Sequence, residues 1–254
     1  MMRPFAAPGS IVRSIWGDAD TILFAFAGSA AEFALNRAVD WLFHTGKLPD
    51  DPMGRLFSTA RFAKEIVFAD EATARRTLAR IRAAHKAVER SRGGNIPDWA
   101  HRDVLYMLID YSERAYELLH RPLTGPEREE LYDVFRRVGE GLVIPDLPNS
   151  YDAWREDRLL HMERDLTNSD LTAEVYHRYR RHLGRWRYEA LLRVQSILVP
   201  DHVRRLLGLG RCPWMRPSLG AYRAAVHIGV RPLIHRLVMP PAILPQVRAL
   251  DQIR

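Results

Sequence analysis

The stretch ARRTLARIRAAHKAVERSR, residues 74–92, places Leu78, Ile81, His85 and Val88 at i, i+3, i+7 and i+10. That spacing puts the four side chains on one face of a helix and is incompatible with the alternation of a strand. His85 therefore points inward. Arg82 precedes it by one turn and borders the same face, within reach of a carboxylate beside the imidazole. The plain alternative is a hydrogen-bonded core histidine.

Working outward, the same period recurs on both sides. In DPMGRLFSTARFAKEIVF (51–68), Leu56, Thr59, Ala60, Ala63, Ile66 and Val67 form an inward stripe. Arg55 lies one turn before Thr59, so a cation and a hydroxyl share one edge. The competing reading leaves Arg55 at the surface and lets Thr59 bond back to the helix carbonyls. In WAHRDVLYMLIDYSERAYELL (99–119), His101 leads Leu105, Leu108, Ser112, Ala115 and Leu119 at helical spacing. Two inward histidines on neighbouring helices are less ordinary than one.

No long window shows strand alternation, and no internal repeat appears, so the sequence predicts an all-α fold. Helices are expected over 18–43, 54–68, 71–91, 98–120, 125–140, 150–165, 170–198 and 200–208, with a further one over 218–238. Asp70 ahead of EATARR, and Thr124 followed by Gly125, Pro126 and Glu127, carry capping oxygens and early acids that open helices. The expected organisation is an N-terminal arm (1–13), one globin-like helical bundle domain (14–209), and an Arg-rich extension (210–254) packing on the same domain.

At 254 residues and 47% apolar, the chain can bury one sizeable core. Its single cysteine excludes a disulfide framework and any multi-cysteine metal site within the chain. The longest apolar run, TILFAFAGSAA (21–31), meets Glu32 far short of the ~20 residues that cross a bilayer. No secretory pattern opens the chain, so a cytoplasmic location is expected. The net charge of +7 is uneven: residues 178–254 hold fifteen Arg against Glu189, Asp201 and Asp251, or +12, leaving −5 elsewhere. No nucleic-acid reader motif accompanies that charge, so nucleic acid is not expected as a partner. A basic face toward anionic lipid, as a peripheral membrane contact, or toward a cofactor's carboxylates fits better. Oligomeric state is not legible.

These blocks together resemble the haem-dependent rubber oxygenases (latex clearing proteins) and MpaB-type oxygenases, from about Ser14 to Leu209. The resemblance is carried by Asp51, Pro52, Gly54, Arg55, Thr59, Val67 and Phe68, then by Arg82, His85 and Val88. It continues through Trp99, His101, Leu105, Asp110, Ser112, Ala115 and Tyr116, and through RRVGEGLVIP (136–145). It implies a globin-like core holding haem b, with His85 of the Arg-x-x-His motif as proximal iron ligand. Dioxygen is then the co-substrate. Arg82 would support the proximal side, and His101 is the fallback ligand or supporting partner. The family's distal Arg-x-x-Lys-Thr motif falls on Arg55, Ser58 and Thr59, the implied catalytic residues. Ser58 is too short to close the sixth iron site as a lysine can, which implies an open or water-filled distal position. A second departure is Leu35-Asn36-Arg37, where many relatives read Leu-Ala-His-Pro. The family's distal glutamate has no clear equivalent, Asp40 and Glu32 lying nearest. The implied activity is oxidative attack, C=C cleavage being the leading case, on a small apolar substrate other than rubber. Leu56, Ala63, Leu105 and Leu108 would wall the pocket.

Three rivals stay open on sequence. A di-iron carboxylate bundle needs two Glu-x-x-His pairs, and Glu117/His120 and Glu174/His177 match, with Glu32 or Glu65 as further carboxylates. Against it, His120 sits at a helix end and His177 lies in HRYRRH, which reads as solvated. Cys212-Pro213 offers a thiolate haem ligand. A non-catalytic haem carrier or helical interaction protein is the third.

Overall fold

The computed structural model describes residues 3–44, 52–212 and 215–251. Among these there are fourteen α-helices and no strand, only two isolated bridges. They are α1 (Ile11–Trp16), α2 (Ala19–Leu35), α3 (Asp40–His44), α4 (Pro52–Val67), α5 (Glu71–Arg92), α6 (Asp98–Leu119), α7 (Gly125–Gly141) and α8 (Tyr151–Asp165). After them come α9 (Asp170–Leu183), α10 (Arg185–Leu198), α11 (Asp201–Leu206), α12 (Met215–His227), α13 (Arg231–Val238) and α14 (Leu244–Leu250). The expected all-α class holds.

The starts follow local chemistry. Asp70 accepts the Thr73 amide at 2.9 Å. Thr124 and Glu127 form a reciprocal capping box, with the Thr124 amide donating to Glu127 at 2.8 Å. Three expected helices are shorter than their periodicity suggested. The segment after α2 breaks at Asn36, whose backbone is extended and whose Oδ1 accepts the Ala38 amide at 2.8 Å. The 170–198 segment divides at Gly184, and 218–238 divides near Gly229, both glycines taking positive φ (73° and 82°) that other residues rarely adopt. Periodicity on either side of such a glycine stays in phase, so the break is invisible to it. Tyr179, within the run expected to be solvated, is buried against Ala34, Val39 and Val175; His177 is exposed.

α2 and α6 pack most extensively and form the spine. Around them Trp16, Phe26, Ile109, Leu131, Phe135 and Trp154 build the main core. Phe5 and Ala6 from the start of the chain and Ile243, Val247 and Leu250 from its end are buried in the same cluster. The close approach of α2 to α6 requires Gly28, because a Cβ there would overlap the Tyr111 ring and touch Leu198. Tyr111 is fixed in place by donating to Glu32 at 2.9 Å. Gly28→Ala is therefore expected to destabilise by about 1–3 kcal/mol despite the higher helix propensity of alanine. A urea-unfolding midpoint unchanged from wild type would contradict this.

Candidate functional site

A cavity of about 1360 Å³ runs along the spine. Its volume exceeds the roughly 300–1,000 Å³ of ordinary small-ligand pockets. One wall is the face of α2 bearing Leu23, Phe24, Ala27, Ala30 and Phe33; α4 contributes Leu56, Ser58, Thr59, Phe62 and Ala63. α5 adds Ile81, Ala84, His85 and Val88, and α6 adds His101, Val104, Leu105 and Leu108. The far side is closed by α10, α12 and α13 through residues such as Leu191, Val194, Tyr222 and Ile234. The helical spacing of each set explains the lining: residues three and four apart share a face.

His85 and His101 meet on this wall. Both are half-buried, and their ring centroids lie 4.8 Å apart with the planes tilted by 35°. Burial holds the His101 ring below its ordinary pKa of 6.5, with Glu89 and Asp98 opposing weakly. The ring is thus neutral at physiological pH and able to accept as well as donate. Because the unfolded chain binds a proton here that the folded chain resists, His101 favours unfolding as pH falls below about 6.5. His101→Gln is expected to flatten the loss of stability between pH 7 and pH 5, where wild type loses at most about 1.4 kcal/mol per pH unit through this group. Thermal melts of both proteins across that interval check it; parallel curves would remove the assignment.

Of the sequence-predicted site residues, Ser58, Thr59, His85 and His101 line one cavity, as do Leu56, Ala63, Leu105 and Leu108. Arg82, half-buried, is not among the lining residues. Arg55 belongs to α4, but its side chain lies outside the described residues, as does Asp51. Asn36 is fully buried away from the cavity and donates Nδ2 to Asp103 at 2.6 Å, so the departure at this position serves the α2–α6 contact. Asp40 pairs with Arg92 at 2.7 Å near the surface.

The rival di-iron arrangement is not assembled among the described residues. Glu117 accepts from Arg128 at 2.6 Å and from the Leu123 amide at 2.9 Å. His120 lies 3.2 Å from Thr21 Oγ1, at the α6 terminus. Glu174 pairs with Arg178 at 2.5 Å. Glu65 accepts from Thr77 and Arg80 at 2.6 and 2.8 Å. Glu32 is bound by Arg158, so none of these carboxylates is gathered with the two histidines. Cys212 is not among the cavity's lining residues, and Pro213 lies outside the described ones.

Two buried polar clusters escaped the sequence. In the first, Arg158 from α8 grips Glu32 of α2 at 2.6 and 2.5 Å and Asp110 of α6 at 3.1 Å. Burial pushes Asp110 up, but Arg114 and Arg158 outweigh it and hold the carboxyl below the usual range. The second gathers Asp103, His161 and Asp165, all buried, with ligand-type atoms within 4.8 Å of one another; among the described residues it is the one such cluster. Asp103 is bonded to His161 and Asn36, and Arg164 donates to Asp165 at 2.8 Å, so side chains of the protein itself already engage both carboxylates. The available signal was Arg158 and His161 lying on the buried stripe of Tyr151, Trp154 and Asp165.

No described helix is long and apolar enough to cross a membrane. A family model described as the catalytic domain of ER-bound oxygenase mpaB/B'/rubber oxygenase matches residues 13–230. No curated protein and no solved structure gives a match. The matched span takes in every helix from α2 to α12, and with them His85, His101, Ser58 and Thr59. The chain therefore belongs to the mpaB and rubber oxygenase catalytic-domain family, a family of oxygenases.

Proposed function

We propose that the chain is a haem b-dependent oxygenase acting on a small apolar substrate, with His85 as the proximal iron ligand. The observation that carries this is the convergence of His85, His101, Ser58 and Thr59 on one large, predominantly apolar cavity. A porphyrin needs an apolar slot with an imidazole at its wall, and the residues present fit that demand. Haem, when bound, supplies the dioxygen and one-electron chemistry that side chains lack.

The chain's own contributions are distinct. His85 offers an imidazole nitrogen from a regular helix, and the neutral His101 ring packed against it restricts its rotation. Arg82, one turn before His85, supports that side from outside the lining. Thr59 and Ser58 bring hydroxyls to the cavity wall from α4, and Arg55 on the preceding turn brings a cation to the same helix. Their task is to orient dioxygen and favour negative charge that develops during reaction. Leu56, Ala63, Leu105 and Leu108 exclude water and accept an apolar substrate, C=C cleavage being the leading reaction.

Visible spectra of protein purified with adequate haem supply, in ferric, ferrous and carbonyl-bound forms, test the cofactor. An imidazole-type ferrous carbonyl spectrum is expected; a thiolate-type one would return Cys212 to consideration. Oxygen uptake with reductant and candidate alkenes tests the activity. Haem bound without oxygen consumption would leave a carrier and remove the oxygenase reading.

A further inference from the structure

Helix α13 carries apolar side chains on both its inner and its outer face. Ile234, His235 and Val238 turn into the cavity wall, while Leu233 and Leu237, one turn apart, are 65% and 67% exposed. Ile228, just before the helix, is 78% exposed. Trp186, at the start of α10, is half-exposed and tied to the helix end: Arg187 stacks on its ring at 4.6 Å and donates to the Val238 carbonyl at 3.0 Å. A small cleft lined by Arg185, Trp186, Glu189, Ala190 and Arg193 adjoins the tryptophan, whereas Ile228, Leu233 and Leu237 line neither it nor the main cavity.

The exposed charge around the row is predominantly basic. Arg236 and Arg185 are exposed beside the row. The nearby acids are taken up beneath the helix, because Arg231 binds Asp18, Asp20 and Asp251 at 2.6, 2.8 and 2.9 Å, and His235 adds a contact to Asp20. Glu189 is the exposed acid on α10. Aliphatic side chains flanked by arginines and a tryptophan suit the boundary between headgroups and acyl chains, where Arg stems lie along apolar surface and guanidinium groups meet phosphate. Helix α13 follows residue 230, beyond the span that matches the family.

We propose that the outer face of α13, with Ile228 and Trp186, docks on an anionic bilayer surface. The docking stands apart from the haem reading. Only its consequence, that an apolar substrate dissolved in lipid reaches the cavity across the same helix, rests on the proposed function.

The test is cosedimentation of the full chain with vesicles of phosphatidylcholine, with and without phosphatidylserine. Binding to the phosphatidylserine vesicles is expected, and it should weaken about fivefold for each arginine whose attraction to the headgroups salt screens out. L233D together with L237D is expected to reduce that binding at least about tenfold with an unchanged circular dichroism melt. Trp186→Ser, on another helix, is expected to act in the same direction. Wild-type protein left in the supernatant, or variants that bind as well as wild type, would overturn the proposal. So would a dimer in light scattering that the double substitution dissociates, without vesicle binding. Haem content does not enter the readout, so failure here and failure of the oxygenase reading are separable.

Discussion

His85→Ala purifies without haem and does not recover the wild-type spectrum on addition of hemin. This result is expected because the substitution removes the imidazole that both lines the cavity and lies in the Arg-x-x-His motif, leaving the porphyrin without its proposed iron ligand. Losing a partner that merely orients a metal ligand typically costs 10–100-fold in affinity, so loss of the ligand itself should exceed about a hundredfold. The protein should still fold, since His85 is half-buried at the cavity wall and truncation there only widens the cavity. A matching circular dichroism melt of the haem-free proteins checks that point, and added imidazole should restore part of the spectrum. His101→Ala is expected to weaken haem retention within the 10–100-fold range and leave an imidazole-type spectrum. Should the His85 variant keep haem with an unchanged spectrum while the His101 variant loses it, the ligand is His101.

The largest effect on stability is expected from Arg158→Ala. The guanidinium is 4% exposed and bidentate to a Glu32 carboxylate that is 1% exposed. Removing the cation strands Glu32 in the core, with the Tyr111 hydroxyl as its remaining donor. Breaking one side of such a pair costs about 3–5 kcal/mol. That is a large share of the ~5–15 kcal/mol that holds a domain together. Urea unfolding should show the midpoint fall accordingly, and a loss below about 1 kcal/mol would refute the assignment. The double replacement of Arg158 by Met and Glu32 by Leu is expected to recover most of the loss, because Asp110 keeps Arg114 at 2.6 Å and no buried charge is left alone. The contribution of Asp110 is present above its ordinary pKa near 3.8 and disappears as pH falls through the lower folded value. Acid unfolding of wild type through this group thus belongs to strongly acidic solution, well separated from the His101 effect.

Some of this was legible in the residues. The inward faces of α4, α5 and α6 follow from spacing, and the lining of the cavity by Thr59, His85, His101, Leu105 and Leu108 agrees with it. Capping oxygens at Asp70 and Thr124 located helix starts. The Glu-x-x-His matches build no metal site because spacing within one helix says nothing of what the facing helix supplies, and Glu117 is met by Arg128 instead of a second metal ligand. Arg82 borders the His85 face on a helical wheel, yet the cavity turns away from it.

The sequence by itself determined the all-α class, the order of most helices, and which face of each is apolar, because these are set within a few residues by periodicity and capping. It also placed the two histidines on inward faces. Only the tertiary structure decided that His85 and His101 stack on one wall, that Glu32 is neutralised by Arg158 from a helix 126 positions away, and that α13 leaves Leu233 and Leu237 uncovered. Those outcomes depend on which helices meet, and a charge or an apolar side chain is energetically acceptable or not according to the partner that packing brings to it.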